Sequence, residues 1–204
     1  RKVLIKTAPL LDITSAVNDL EYVSKVWVVA VNQECKEVLY LLEPNAKQEY
    51  VISAVHLKSD GEQIFTFSPE EEALAKVEYA DPEKFIYEPN PAILKAGAFK
   101  CIANRHSLKK LHPNSHLYTS DVLKTDFPGR VFQLEATSKY QRKSIKKLLP
   151  DGKANISTRN FPESVQQIRK KTGLKEGGNT YIFATTGLED KRMLLICKKA
   201  ALSR

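Results

Sequence analysis

The sequence predicts an α/β plus α+β fold: a short α/β segment followed by smaller α+β domains. Three observations carry this. Val26–Val31 is apolar at every position, as in a strand covered on both faces. Beyond residue 45, turn signals and helix starts alternate with short strand-like runs. The charge also changes character along the chain. Residues 1–136 hold sixteen Lys/Arg and nineteen Asp/Glu, whereas residues 137–204 hold sixteen and five. The last third, at +11, therefore exceeds the net charge of the whole chain, +8. These breaks divide the chain into residues 1–45, 46–136 and 137–204.

In the first segment, Val3–Ile5 reads as a short strand and Ala8-Pro9 as a break. Asp12 or Thr14 can cap a helix carrying Val17 and Leu20. The runs Val26–Val31 and Val38–Leu42, joined by Asn32–Lys36, read as an antiparallel hairpin. Strand, helix and hairpin alone expose too much apolar surface to stand unsupported. After a polar break at 44–49, strands at 50–57 and 63–67 flank the Asp60-Gly61 turn. A short helix follows Ser68-Pro69. Asn90-Pro91 starts a longer one, Asn as cap and Pro at the first position, expected to run to about Arg105. Gly97 inside it costs up to ~1 kcal/mol against alanine, which points to close packing there. Short strands are expected near Lys110, at His116–Thr119 and at Val131–Ala136.

In the basic third, Ser138 with Gln141 predicts a capping box and a helix to about Leu149. Ala154–Thr158 is a strand. Asn160 with Glu163 opens a second helix, which Gly173 ends. Thr180–Thr186 and Arg192–Lys199 pair across a turn.

The composition, 42% hydrophobic and 27% charged, is that of an ordinary globular chain. No apolar run approaches the length of a membrane span. Cys35, Cys101 and Cys197 are odd in number and far apart, as expected for buried thiols in the reducing cytoplasm rather than a disulfide framework. The chain opens on Arg1 and its one methionine is Met193, so it reads as a fragment.

The strongest chemical signal is the first basic helix. At 100° per residue, Lys139, Lys143, Lys146 and Lys147 fall within about a 100° arc, flanked by Arg142 and opposite Ile145, Leu148 and Leu149. No acid interrupts them. A merely solvated face normally alternates signs, so this face is a candidate phosphate-binding surface. If about five such cations neutralised single-stranded phosphates, the log–log salt slope would be near −3.5, at about 0.7 per contact. Arg169, Lys170 and Lys171 sit instead in the last turn of the second helix, where cations favour the helix dipole. Arg159, just before that helix, can face a phosphate near its start. His112 and His116 lie four apart but around Pro113-Asn114, so they read as loop residues and not metal ligands. Gly177-Gly178 fits no phosphate-cradling motif.

Several blocks resemble one family. KVLIKTAPLLDI, VVAVNQECKEVLYLLE, FIYEPNPAILKAGAFK, LKKLHPNSHLYTSD, DFPGRVFQLE and KANISTRNFPESVQQIRKKTGLKEGGNTYIFATT resemble bacterial class I S-adenosylmethionine-dependent methyltransferase-like proteins with a ferredoxin-like insert and a C-terminal THUMP-like domain. The resemblance implies that residues 1–45 are the last part of a Rossmann-type methyltransferase sheet, 46–136 a ferredoxin-like middle domain and 137–204 a THUMP-like domain. It implies S-adenosylmethionine as the cofactor of the full-length protein. The donor loop and catalytic motifs of such enzymes come earlier in the domain, so no catalytic or cofactor-binding residue carries over to this chain. The implied partner is RNA, transfer RNA or ribosomal RNA, met by Lys139, Arg142, Lys143, Lys146, Lys147 and Arg159. The competing expectations are an RNA-binding protein with a degenerate methyltransferase domain, and a module that meets an acidic protein.

Overall fold

The computed structural model describes residues 1–44, 46 and 49–201; part of the expected 44–49 break lies outside them. Its architecture is mixed α/β with two mixed sheets. The chain forms two compact units, residues 1–76 with 89–105, and residues 77–88 with 106–204.

The first unit holds β1 (Val3–Thr7), α1 (Ile13–Asp19), β2 (Val23–Val31), β3 (Glu34–Leu42), β4 (Val51–Lys58) and β5 (Gly61–Phe67). Its strands form one sheet in the order β1-β3-β2-β4-β5. β2 and β3 make the expected antiparallel hairpin, and β4 joins β2 in parallel. The sheet thus draws strands from both sides of residue 45. Alternation sorts its side chains. Val26, Val28, Ala30, Val38, Tyr40 and Ala54 are fully buried on one face, where α3 (Pro91–Ala96) packs on β2, β3 and β4. The other face presents Trp27, Val29, Leu39 and Val55, which are half-buried, beside Leu4 at 59% and Ile64 at 55% exposure.

Asp12 caps α1 by accepting from Ser15 N–H at 2.8 Å. Asn90 caps α3 by accepting from Ile93 N–H, with Pro91 first in the helix. The long helix expected to Arg105 breaks at Gly97. That residue has φ 83°, ends α3 as a left-handed cap, and has open space where a Cβ would stand. Its role is a helix stop, and close packing does not explain it. α4 (Cys101–Arg105) starts afresh, with the Glu72 carboxylate accepting from the Lys100 and Cys101 N–H groups. Glu72 comes from α2 (Pro69–Leu74), which Ser68 caps.

The second unit contains β6 (Phe85–Pro89, whose last residue belongs to the first unit), β7 (Lys109–Lys110), β8 (Tyr118–Ser120), β9 (Gly129–Ser138), α5 (Arg142–Leu148), β10 (Asn155–Arg159), α6 (Val165–Thr172), β11 (Thr180–Thr186) and β12 (Arg192–Lys199). The sheet order is β10-β11-β12-β9-β6-β8-β7, and β9 runs unbroken through residue 136. β6 is buried at every position and is not evident from the sequence, because Tyr, Glu and Pro interrupt its apolar pattern. One face of the sheet packs Ile156, Ile182, Leu194 and Ile196 against Ile145 of α5, its cap residue Leu149, and Ile168 of α6. The other packs Phe183, Leu195 and Cys197 against Leu111, Leu117 and Phe132. A strand covered on both sides reads as a continuous apolar run, as Met193–Cys197 does.

Candidate nucleic-acid interface

The first basic helix begins later than its sequence promises. Ser138 is the last residue of β9, where pairing with Leu194 holds it in the sheet. Its hydroxyl donates to Lys139 O, so the Ser138–Gln141 capping box does not form. α5 starts at Arg142 with Gln141 as a cap whose side chain makes no capping bond. Leu148, expected on the buried side, is 42% exposed. Ile145 and Leu149 do the anchoring, both buried in the core that α5 shares with α6.

That anchoring turns Lys143, Lys146 and Lys147 outward, at i, i+3 and i+4 on one side of the helix. All three are exposed. No ion pair engages them among the described residues, which makes them available to a ligand's anions. Lys139 is exposed too, but lies in the β9–α5 turn rather than on the helix. Arg142 does something different. A Cβ on Gly173 would lie 3.5 Å from Arg142 Nη2, so the guanidinium covers the C-terminal turn of α6, where the helix dipole is negative.

α6 is built the other way. Ser164, not Asn160, is its cap, and Ser164 and Gln167 form a complete capping box. Asn160 takes φ 52° instead and turns the chain out of β10. Arg169 donates to Ala154 O at 3.4 Å and lies 3.9 Å from Glu176. Lys171 sits 4.0 Å from the centre of the Tyr140 ring and 3.4 Å from Glu163. The Tyr140 hydroxyl donates to Glu163 at 2.5 Å. That bond, with Lys171, holds the Glu163 carboxyl below its ordinary range, while burial and the same carboxylate push the Tyr140 phenol up.

Arg159, expected to face a phosphate, is half-buried and turned toward the buried Glu88. Its Nη2 donates to Glu88 Oε1 at 2.5 Å, and its Nη1 to Thr158 O at 2.8 Å. Glu88, only 2% exposed, also binds Arg130 through Nε at 2.7 Å. A carboxylate this deeply buried requires such partners, so Arg159 stabilises the fold.

Two shallow grooves border the sheet. One, about 410 Å³, is lined by Lys139, Lys191, Arg192, Asp81 and Thr137. The other, about 540 Å³, lies beyond Arg192 and includes His112, Asn160 and Phe161. Lys191 and Arg192 were not legible as partners of Lys139, because only the antiparallel pairing of β12 with β9 brings their ends together. His112 and His116 lie in the loop expected for them, His112 accepting from Asn114 N–H at 3.1 Å.

Two family models match this chain. Residues 85–128 match that of a ferredoxin-like domain. Residues 129–199 match that of a THUMP domain-like family, and these carry β9, α5, β10, α6, β11 and β12 together with every lysine and arginine just described. Residues 129–199, which hold most of the basic third, are a THUMP-like domain. A crystal structure of a Porphyromonas gingivalis W83 protein, a methyltransferase by provisional assignment, is 38% identical over 98% of this chain, with a TM-score of 0.92. The chain covers 51% of that protein, about half its length. No curated protein matches the sequence. Within the THUMP-like domain, α5 presents Lys143, Lys146 and Lys147 with no ion pair among the described residues, whereas α6 engages Arg169 and Lys171 and leaves Lys170 exposed. Among the described residues no helix is long and apolar enough to cross a membrane, and no three His, Cys, Asp or Glu side chains gather as metal ligands.

Proposed function

We propose that this chain is the RNA-recognition portion of a cytoplasmic S-adenosylmethionine-dependent RNA methyltransferase, with transfer RNA or ribosomal RNA as the substrate class. The observation that carries the reading is the acid-free lysine face of α5 on a THUMP-like domain. The likeness to the P. gingivalis protein supports the methyltransferase part of it.

The methyl donor finds no fitting site on the residues described. A donor loop needs a strand-to-helix turn in which glycines let the backbone approach the ligand. The turn between β1 and α1, residues 8–12, contains no glycine, and its Asp12 carboxylate already caps α1. The glycines at 97 and 173 end helices. The role derived for these residues is therefore capture and orientation of RNA, and no chemical step is assigned to them.

The lysines act as point charges on phosphates and release counterions, which gives affinity without sequence preference. With Arg159 held by Glu88, five exposed cations remain: Lys139, Arg142, Lys143, Lys146 and Lys147. The expected log–log salt slope on single-stranded RNA is then about −3.5, at about 0.7 per contact. A slope near zero would refute RNA capture by this face. Labelled donor incubated with the full-length protein and total RNA tests the methyltransferase part. Incorporation into RNA is expected, and its absence would favour a protein that binds RNA without modifying it.

A further inference from the structure

The α5 lysines explain affinity for a polyanion but offer nothing that could recognise a base. The second groove does. It lies where β10 and β11, a parallel pair, both end, and open α/β sheets bind ligands beyond the carboxyl ends of their strands. Its volume, about 540 Å³, is within the range of about 300–1,000 Å³ usual for small-ligand sites.

Its polar groups are fixed before any ligand arrives. The Thr186 hydroxyl donates to Asn160 O at 2.6 Å, and this holds Asn160 at φ 52°. Asn160 Nδ2 lies 3.1 Å from His112 Nδ1, the same nitrogen that accepts from Asn114 N–H. With Nδ1 accepting, the neutral imidazole carries its hydrogen on Nε2, which points at Asp190 Oδ1 3.3 Å away. Asp190 sits on the rim, 89% exposed, on a backbone at φ 56°. Phe161 supplies an aromatic wall, held edge-on by Tyr140 with ring centres 5.3 Å apart. Arg192 lines this groove and also the one that holds Lys139 and Lys191. Positive charge therefore leads from the β9–α5 turn to the groove's mouth.

We propose that this groove receives one unpaired RNA nucleotide. Its base lies against Phe161, its polar edge meets the Asn160 amide and the Asp190 carboxylate, and its phosphate meets Arg192. Aromatic stacking with a few fixed polar groups is the usual chemistry for holding single-stranded RNA bases. A base locked in a duplex cannot enter. The proposal rests on the RNA-binding reading above and adds strandedness to it.

The test uses the full-length protein, a single-stranded RNA oligonucleotide and a blunt RNA duplex of the same length, with binding followed by fluorescence anisotropy. The double variant Asn160→Gly/Asp190→Asn keeps residues that accept positive φ, and Phe161→Leu is an independent variant should the double one misfold. Either is expected to bind the single strand about tenfold more weakly and the duplex as before. The Lys143→Glu/Lys146→Glu/Lys147→Glu variant is expected to lose both. Groove variants that bind both RNAs like wild type, or weaken on both equally, would overturn the groove while leaving RNA capture intact. A lysine variant that binds both RNAs normally would overturn RNA capture itself.

Discussion

α5 and α6 are two short basic helices on one core, and they use their charge in opposite ways. α6 has a capping box, and its Arg169 and Lys171 reach Ala154, Glu176, Tyr140 and Glu163. α5 has no side-chain cap and leaves Lys143, Lys146 and Lys147 without an internal anion. The same residue types pair internally on α6, Lys170 apart, and go without an ion pair on α5. The difference is that Glu163 and Glu176 pair with Lys171 and Arg169 of α6, whereas among the described residues no carboxylate pairs with Lys143, Lys146 or Lys147 of α5. A count of charges cannot reveal that, although the absence of acids within 139–149 already hinted at it.

The largest expected difference is in RNA affinity. Reversing Lys143, Lys146 and Lys147 to Glu should weaken RNA binding at least about 100-fold without unfolding the chain. Changing Arg169 and Lys171 to Ala should cost less than about threefold, because those cations already have partners. Equal losses from the two sets, measured by anisotropy at one salt concentration, would erase the contrast.

Acid should lower stability through His116, which lies near Arg159. Burial, then Lys110 and Arg159 nearby, push the His116 imidazole down to about 4 from its ordinary 6.5. As pH falls through that window the unfolded chain takes up the proton first, so stability is lost between about pH 6.5 and 4. The loss is up to about 3 kcal/mol at 1.4 kcal/mol per unit. His116→Asn, which tolerates the φ of 50° at that position, should flatten the pH dependence of the melting temperature. An unchanged profile would show that His116 is not the group responsible.

Glu88→Gln removes the buried anion that Arg130 and Arg159 share. Both arginines are about a third exposed, so the cost should fall below the usual range for a broken buried pair, at about 2 kcal/mol by urea unfolding. The smallest effect compares the caps directly. Ser164→Ala should cost about 1 kcal/mol, and Gln141→Ala less than about 0.5. If both cost the same, the difference in capping between α5 and α6 is not energetically real.

Local signals made much of this fold legible. The β2–β3 hairpin, the caps at Asp12 and Asn90, the stop at Gly173 and the β11–β12 pair all follow from neighbours in sequence. What stayed hidden depends on distant partners. Ser138 looked like a cap until β12 claimed it for the sheet, and Ser164 took the capping role that Asn160 and Glu163 seemed to share. Gly97 looked like a packing glycine because nothing local shows that α3 ends there. Of the candidate RNA-facing residues, the shared outward side of Lys143, Lys146 and Lys147 was readable from spacing. The bond that ties Arg159 to Glu88 was not, since that carboxylate lies seventy-one residues away. The nearness of Lys191 and Arg192 to Lys139 was hidden for the same reason.

The half-buried apolar side of the first sheet affects how binding to this chain should be measured. Leu4, Trp27 and Ile64 give this piece of protein a greasy flank that will cling to plastic, resin and any partner with oil on its surface. Such sticking holds or strengthens as salt rises, whereas a lysine's grip on phosphate fades. A salt titration therefore separates the two behaviours within one experiment, and an affinity measured at a single ionic strength would confound them.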